Sequence, residues 1–266
     1  MPDPALARMF LTIGADYDRY RPGFPAEAAD LAVAEVTGGS SDRVDDVLDL
    51  GAGTGKFTEL LVTRAGHVRA VDPSEQMLAE LRRKLPGVDA GIGTAEHLPL
   101  SDSSVDLVVV AQAFHWFDRE PACREIARVL RDGGVLAVVW NVSGLECAWD
   151  RACGAVAHLL DENPDADADE AGFGRHLEDG ADDMEAPEAP GFVLVRSERL
   201  SWTEPISREH YLRRWMTVST MLAATDDQRE EALARMADIL DADPETAGLD
   251  VLSLANVTEV FLLRAA

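Results

Sequence analysis

The stretch Asp49-Leu50-Gly51-Ala52-Gly53-Thr54-Gly55 has the residue types and spacing of a ligand-binding turn. It follows the apolar run Val47-Leu50 and leads into a helical pattern carrying Phe57, Leu60 and Leu61. Closely spaced glycines give the backbone conformations closed to other residues and let it approach a ligand at a helix N-terminus. Two nucleotide motifs that such a turn resembles are opposed by the spacing. A P-loop puts a glycine five residues before its Gly-Lys pair; here that position is Leu50, and Phe57 stands where a Ser or Thr would hold magnesium. The dinucleotide fingerprint would place its third glycine where Lys56 stands, which disfavours NAD. Asp72 ends the next apolar run about twenty residues beyond the first glycine, where a carboxylate accepts hydrogen bonds from both ribose hydroxyls. Together these residues point to an adenosine ligand with a free ribose.

A second constellation, Gln112-Ala113-Phe114-His115-Trp116-Phe117, follows the apolar run Val105-Val110. Ligands of open α/β sheets lie beyond the carboxyl ends of such strands, so His115 and Trp116 fall near the ligand. His115 titrates in the range of a general base for a hydroxyl, phenol or amine, and it can equally act by positioning a ligand. Trp116 can pack or turn its face to a cation.

These residues need a frame. From Val44 to Asn141 short apolar runs alternate with helical patterns: Val47-Leu50, Val68-Val71, Val88-Ile92, Val105-Val110 and Val135-Trp140 read as strands of a parallel sheet with crossover helices. Ser74 caps a helix with Met77, Leu78, Leu81 and Leu85 on one face and Glu80 paired to Lys84. Asp118, Pro121 and the stop Asp132-Gly133-Gly134 bracket another helix. After Asn141 an apolar helical pattern runs over Trp149-Leu160, and Asp161-Gly191 reads as an irregular insertion. Phe192-Arg196 and Val257-Leu263 then read as strands, and Arg208-Met221 and Gln228-Leu240 as helices. His210, Tyr211, Arg214 and Trp215 share one helix and are candidates to face a substrate, although Tyr211 and Trp215 at i,i+4 have the spacing of core residues. Cys147, Trp149 and Cys153 are weaker candidates.

The chain has 266 residues, 47% of them hydrophobic and 27% charged, the composition of a folded globular protein. Its net charge of −25 opposes binding to phosphate backbones, so nucleic acid is not an expected partner. No apolar run is long enough to span a bilayer, and Met1-Pro2-Asp3-Pro4 lacks a secretory layout; a cytoplasmic location is expected. The three cysteines form no metal-site spacing, and no metal is expected. Asp165, Asp167 and Asp169 alternate like calcium ligands, but Glu170 and His176 occupy the glycine and glutamate positions of such a loop. The oligomeric state is not legible.

In this order, the motifs resemble the class I S-adenosylmethionine-dependent methyltransferases, in the small-molecule branch that includes trans-aconitate methyltransferase. The resemblance runs from Tyr17 to Asn141. It rests on Tyr17-Asp18, Arg21-Pro22-Gly23-Phe24-Pro25, the Asp49-Gly55 turn, Asp72, Gly93-Thr94-Ala95-Glu96 before Leu98-Pro99, and Gln112-Phe117. It implies a doubly wound, mostly parallel, seven-stranded Rossmann-like α/β sheet with an antiparallel last strand. Residues 1–43 form an arm over the cofactor, 44–141 the cofactor core, and 142–266 a helical substrate cap with the closing strands. By the same resemblance Tyr17 and Arg21 lie near the cofactor carboxylate, Asp49 helps hold its ammonium group, and Gly51 and Gly53 line its methionine and ribose. Asp72 takes the ribose, Met77 packs on the adenine, Thr94 and Ala95 meet the adenine edge, and Gln112 belongs to the cofactor side. Many relatives carry Asp where Thr94 stands, and Glu96 is a possible substitute. The implied reaction is methyl transfer to oxygen, nitrogen or carbon of a small molecule, with His115 as the candidate base. An NAD-dependent oxidoreductase, a silent cofactor-binding module and a fold recruited to cyclisation are the alternatives.

Overall fold

The computed structural model describes residues 18–142, 147–160 and 184–266. Tyr17 and most of the expected insertion, residues 161–183, lie outside the described residues. The sheet has seven strands in the order β3-β2-β1-β4-β5-β7-β6. In chain order these are β1 (Val44–Leu50), β2 (Ala65–Asp72), β3 (Asp89–Ile92), β4 (Val105–Ala111), β5 (Leu130–Val142), β6 (Phe192–Ser207) and β7 (Val251–Ala265). The first five pair in parallel, whereas β7 runs antiparallel to both β5 and β6, as expected for the closing strand.

Both faces of the central strands are covered, which is why they read as continuous apolar runs rather than alternating ones. In β4, Val108 and Val110 join Leu48, Leu50, Leu136 and Val138 in one cluster, covered by α4 (Arg119–Val129) through Ala122, Ile126 and Val129. Leu107 and Val109 point to the other face and pack under Ala28, Ala29, Ala32 and Val33 of α1 (Ala26–Thr37). The helix after the glycine turn, α2 (Thr58–Leu61), is a single turn. In α3 (Glu75–Lys84), Ser74 accepts from the Met77 amide as a cap, as its sequence position predicts.

The last pair between β5 and β7 is Val142 with Val257; beyond it β6 and β7 continue as a ribbon past the carboxyl ends of the parallel strands. This ribbon carries a helical module with its own core. Trp149, Cys153 and Val156 of α5 (Ala148–His158) meet Tyr211 and Trp215 of α6 (Arg208–Trp215), Met221 of α7 (Ser219–Ala223) and Met236 of α8 (Asp226–Ala242). Tyr211 Oη donates to the buried Asp150 carboxylate at 2.7 Å within this core.

Three expectations need correction. The helix expected over Arg208-Met221 breaks between Trp215 and Ser219, where Thr217 Oγ1 donates to the Arg214 carbonyl and offers the backbone a turn in place of the helix. Lys84 does not pair with Glu80. It reaches Asp18 at 2.6 Å and Glu59 at 2.7 Å, while Glu80 takes Arg83. The strand expected over Phe192-Arg196 extends to Ser207, because an edge strand needs few apolar residues to hold its pairing with β7.

The loop after β3 is pinned by Glu125, which accepts from the Leu98 amide and pairs with Arg128, itself bonded to the Leu98 and Leu100 carbonyls. The Arg128 hydrogen bond holds the Glu125 carboxyl down at about 2. A depressed carboxyl contributes stability that is complete above its unfolded value and is lost as pH falls through the folded one. Glu125→Gln is expected to cost about 1–2 kcal/mol at pH 7 and much less near pH 2, as read by urea unfolding at the two pH values.

Candidate active site

The site begins where β1, β2 and β4 end. The Gly51 and Ala52 amides donate to the Val71 carbonyl at 2.8 and 3.2 Å, which folds the turn back against the end of β2. Asp72 completes this anchor: one carboxylate oxygen accepts from the Gly53 amide at 2.9 Å and the other from the Ser74 amide at 2.8 Å. Gly51 and Gly53 have φ of 72° and 54°, the left-handed region that favours glycine. A Cβ on Gly51 would lie 2.5 Å from the Ala113 Cβ, so the turn and the loop after β4 approach as closely as glycine permits.

Asp49 lies beneath the turn and is 1% exposed. Its Oδ2 accepts from Thr58 Oγ1 at 2.5 Å, whereas Oδ1 has no hydrogen-bond partner among the described residues. Burial, reinforced by repulsion from Asp72, pushes the Asp49 carboxyl up to about 7. Burial also raises Asp72, against the two amides that favour its charged form. Burial thus disfavours the charged forms of this acidic pair, and a cationic ligand would restore them.

The loop after β4 faces the turn. Gln112 adopts a φ of 57°, rare for a residue with a side chain; its backbone amide donates to Val139 and its side-chain amide to the Asn141 carbonyl at 3.0 Å. His115 lies against Trp116 and Trp140, with ring centroids 4.8 and 5.1 Å away. Met77 is buried but joins none of the described apolar clusters. Ala95 is buried, Thr94 is exposed and bridged to His97, and Glu96 accepts from the Asp118 amide at 3.0 Å at the start of α4. That bond commits one oxygen of Glu96 to the helix start rather than to an adenine.

The segment from Asp18 to Pro25 ties core and module together. Asp18 meets Lys84; the Tyr20 ring packs on His210, and its carbonyl accepts from Arg214 at 3.2 Å. Arg21 donates to the Thr217 carbonyl at 2.7 Å, Phe24 packs on Phe57 just past the turn, and Asn141 donates to the Gly23 carbonyl at 2.8 Å. Hydrogen bonds thus join Gly53 to Asp72 and, through Ser74, to Met77, while Gly51 lies against Ala113 of the loop carrying Gln112 and His115. Arg21 is bonded toward the module, and Tyr17 lies outside the described residues. Of the residues considered for the substrate side, Tyr211, Trp215, Cys147, Trp149 and Cys153 belong to the module core, while His210 and Arg214 meet the N-terminal segment. The motifs did not single out Thr58, Lys84 or Asn141. One signal was present, since Lys56 and Lys84 are the only lysines in the sequence and both flank Asp18.

The strand order and the glycine turn define a doubly wound α/β sheet, a class of fold whose ligands lie beyond the carboxyl ends of the strands. A methyltransferase-domain family matches residues 48–138. Over 246 residues the chain is 37% identical to an uncharacterized methyltransferase of Mycobacterium tuberculosis, covering 92% of this chain and 90% of that protein. It is 43% identical over 123 residues to a malonyl-[acyl-carrier protein] O-methyltransferase of Methylococcus capsulatus, 42% of this chain and 44% of that protein. A solved structure described as a type II methyltransferase from Anaeromyxobacter dehalogenans has a TM-score of 0.66 at 25% identity, over 92% of this chain and 97% of that one. The chain belongs to the class I S-adenosylmethionine-dependent methyltransferases, and its cofactor is S-adenosylmethionine. The residues present fit that cofactor: the unpaired Asp49 oxygen suits a cationic ligand, and the open backbone at Gly53, where a Cβ would meet nothing within 4 Å, admits close approach.

Asp49 sets up an opposition between stability and binding. Its folded pKa is raised, so its contribution to stability is complete below about pH 4 and is lost as pH rises through about 7. Asp49→Asn, which keeps an acceptor for Thr58, is expected to stabilise the ligand-free protein by about 2–4 kcal/mol at pH 8, and much less near pH 4. The same variant is expected to bind S-adenosylhomocysteine at least about tenfold more weakly at pH 8. Denaturant unfolding at the two pH values and calorimetry check both halves.

Proposed function

We propose that this enzyme moves the methyl group of S-adenosylmethionine to an oxygen, nitrogen or carbon of a small molecule held between the sheet core and the helical module. The observation that carries this reading is the N-terminal segment, residues 18–25, bonded at once to the core and to the module across the glycine turn. In this reading residues 1–43 are an arm over the cofactor, 44–141 its binding core, and 142–266 the cap with the closing strands. The net charge of −25 disfavours nucleic acid as the acceptor. The Methylococcus relative is by name an O-methyltransferase, which makes oxygen the first acceptor atom to test. Three buried free thiols suit a reducing compartment, and we place the enzyme in the cytoplasm.

When bound, S-adenosylmethionine supplies an electrophilic methyl group on a cationic sulfur. The chain's task is to hold two substrates nearly in line, which can supply much of the rate. Asp49 would balance the ammonium group, Asp72 would accept from the ribose hydroxyls through lone pairs left by Gly53 and Ser74, and Met77 would pack on the adenine with Thr94 and Ala95 at its edge. Gly51, Gly53 and Gln112 would shape the cofactor wall, and Tyr17 and Arg21 would meet the carboxylate end. His115, backed by Trp140, would take the acceptor's proton where the acceptor carries one.

Incubation with methyl-labelled cofactor and a cell extract is expected to put label into the small-molecule fraction; label confined to protein or nucleic acid would contradict the proposal. His115→Ala is expected to lower turnover about a hundredfold with little change in S-adenosylhomocysteine affinity, and to abolish a pH-rate limb near the histidine range. Parallel losses of affinity and turnover would make His115 a positioning residue.

A further inference from the structure

Asn141, the penultimate residue of β5, makes contacts in three directions. Its Nδ2 donates to the Gly23 carbonyl at 2.8 Å, its Oδ1 accepts from Thr258 Oγ1 at 2.6 Å, and its main-chain carbonyl accepts from Gln112 Nε2 at 3.0 Å. Asn141 and Thr258 face each other directly in the β5–β7 register, and Thr258 is fully buried. From the far side, Trp202 Nε1 of β6 donates to Thr258 Oγ1 at 2.9 Å.

The chemistry of the end groups fixes the direction of this relay. An indole N–H can only donate, so Thr258 receives from Trp202 and must pass its own hydrogen onward to Asn141. The Asn141 amide is thereby held with oxygen toward Thr258 and nitrogen toward Gly23, whose carbonyl can only accept. We propose that Asn141 is a positioning residue that fastens two walls of the cofactor site to one point. One wall is the N-terminal segment at Gly23, and the other is the strained Gln112 turn that places Ala113 against Gly51 and carries His115. The two fastenings share one residue: its main-chain carbonyl holds the Gln112 side chain, and its oriented side-chain amide holds Gly23. This inference rests on the proposal that residues 18–25 close over the cofactor.

Asn141→Asp tests it, because a carboxylate still accepts from Thr258 but confronts the Gly23 carbonyl with a second acceptor. In the ligand-free protein, amide hydrogen exchange of residues 18–25 is expected to speed up in Asn141→Asp, with residues 112–117, held by the main-chain carbonyl, and the unfolding temperature little changed. Thr258→Val, which removes the orienting hydroxyl, is expected to act in the same direction, and Thr258→Ser, which keeps it, to match the wild type. S-adenosylhomocysteine affinity is expected to fall about tenfold in Asn141→Asp, a loss of the size of one hydrogen bond. Unchanged exchange in residues 18–25 for both Asn141→Asp and Thr258→Val would overturn the proposal. Altered exchange with wild-type affinity would also overturn it, showing that the tether has no bearing on the cofactor. A failure of the small-molecule reading would instead appear in the methylation assay and leave these exchange and affinity results in place.

Discussion

The Asp72 carboxylate holds the rest of the site in place. It stands at the end of β2 and takes one amide from the glycine turn and one from the start of α3, so a single side chain joins β2 to the elements on either side of it. Without those two acceptors, the Gly53 and Ser74 amides would be left short of partners where water has little access, at a cost of about 1–3 kcal/mol each. The cap of Ser74 on Met77, the left-handed glycines and the approach of Gly51 to Ala113 all follow from where Asp72 fixes the turn.

That arrangement buries a second carboxyl beside the first. Asp49 lies buried close enough to Asp72 to feel its repulsion, and one of its oxygens has no hydrogen-bond partner among the described residues. Two carboxylates in one poorly hydrated place favour a cationic ligand and disfavour the empty state, which is a reason for such a pair to persist despite its cost. The fold surrounds this centre with fasteners from distant parts of the chain. Lys84 holds Asp18, Arg214 and Arg21 link the N-terminal segment to the helical module, and Asn141 links it to the sheet.

The parts legible in the sequence are those set by local pattern. The apolar runs of β1, β4 and β5 stand out because both faces are buried, and the glycine turn stands out because its backbone requires residues that little else would select. What the sequence hid is long-range. Lys84 has a favourable partner four residues back in Glu80, yet it pairs with a residue of the N-terminal segment that only the folded chain brings near. Thr217 has the side chain of a tolerable helix residue, and its bond to Arg214 breaks the helix where Arg21 arrives. Asn141 and Trp202 are ordinary strand residues until the sheet sets Asn141 opposite Thr258 and Trp202 on the diagonal from the other side.

Asp72 organises the glycine turn, and its proposed second task is to take the ribose hydroxyls of the cofactor. Calorimetry separates the two tasks by comparing the affinities of wild type and Asp72→Ala for S-adenosylhomocysteine and for its 2′,3′-dideoxy analogue. The wild type is expected to lose about tenfold or more on removal of the hydroxyls, whereas Asp72→Ala is expected to bind both ligands weakly and nearly equally. Equal discrimination by the two proteins would contradict that second task and assign the ribose to another group.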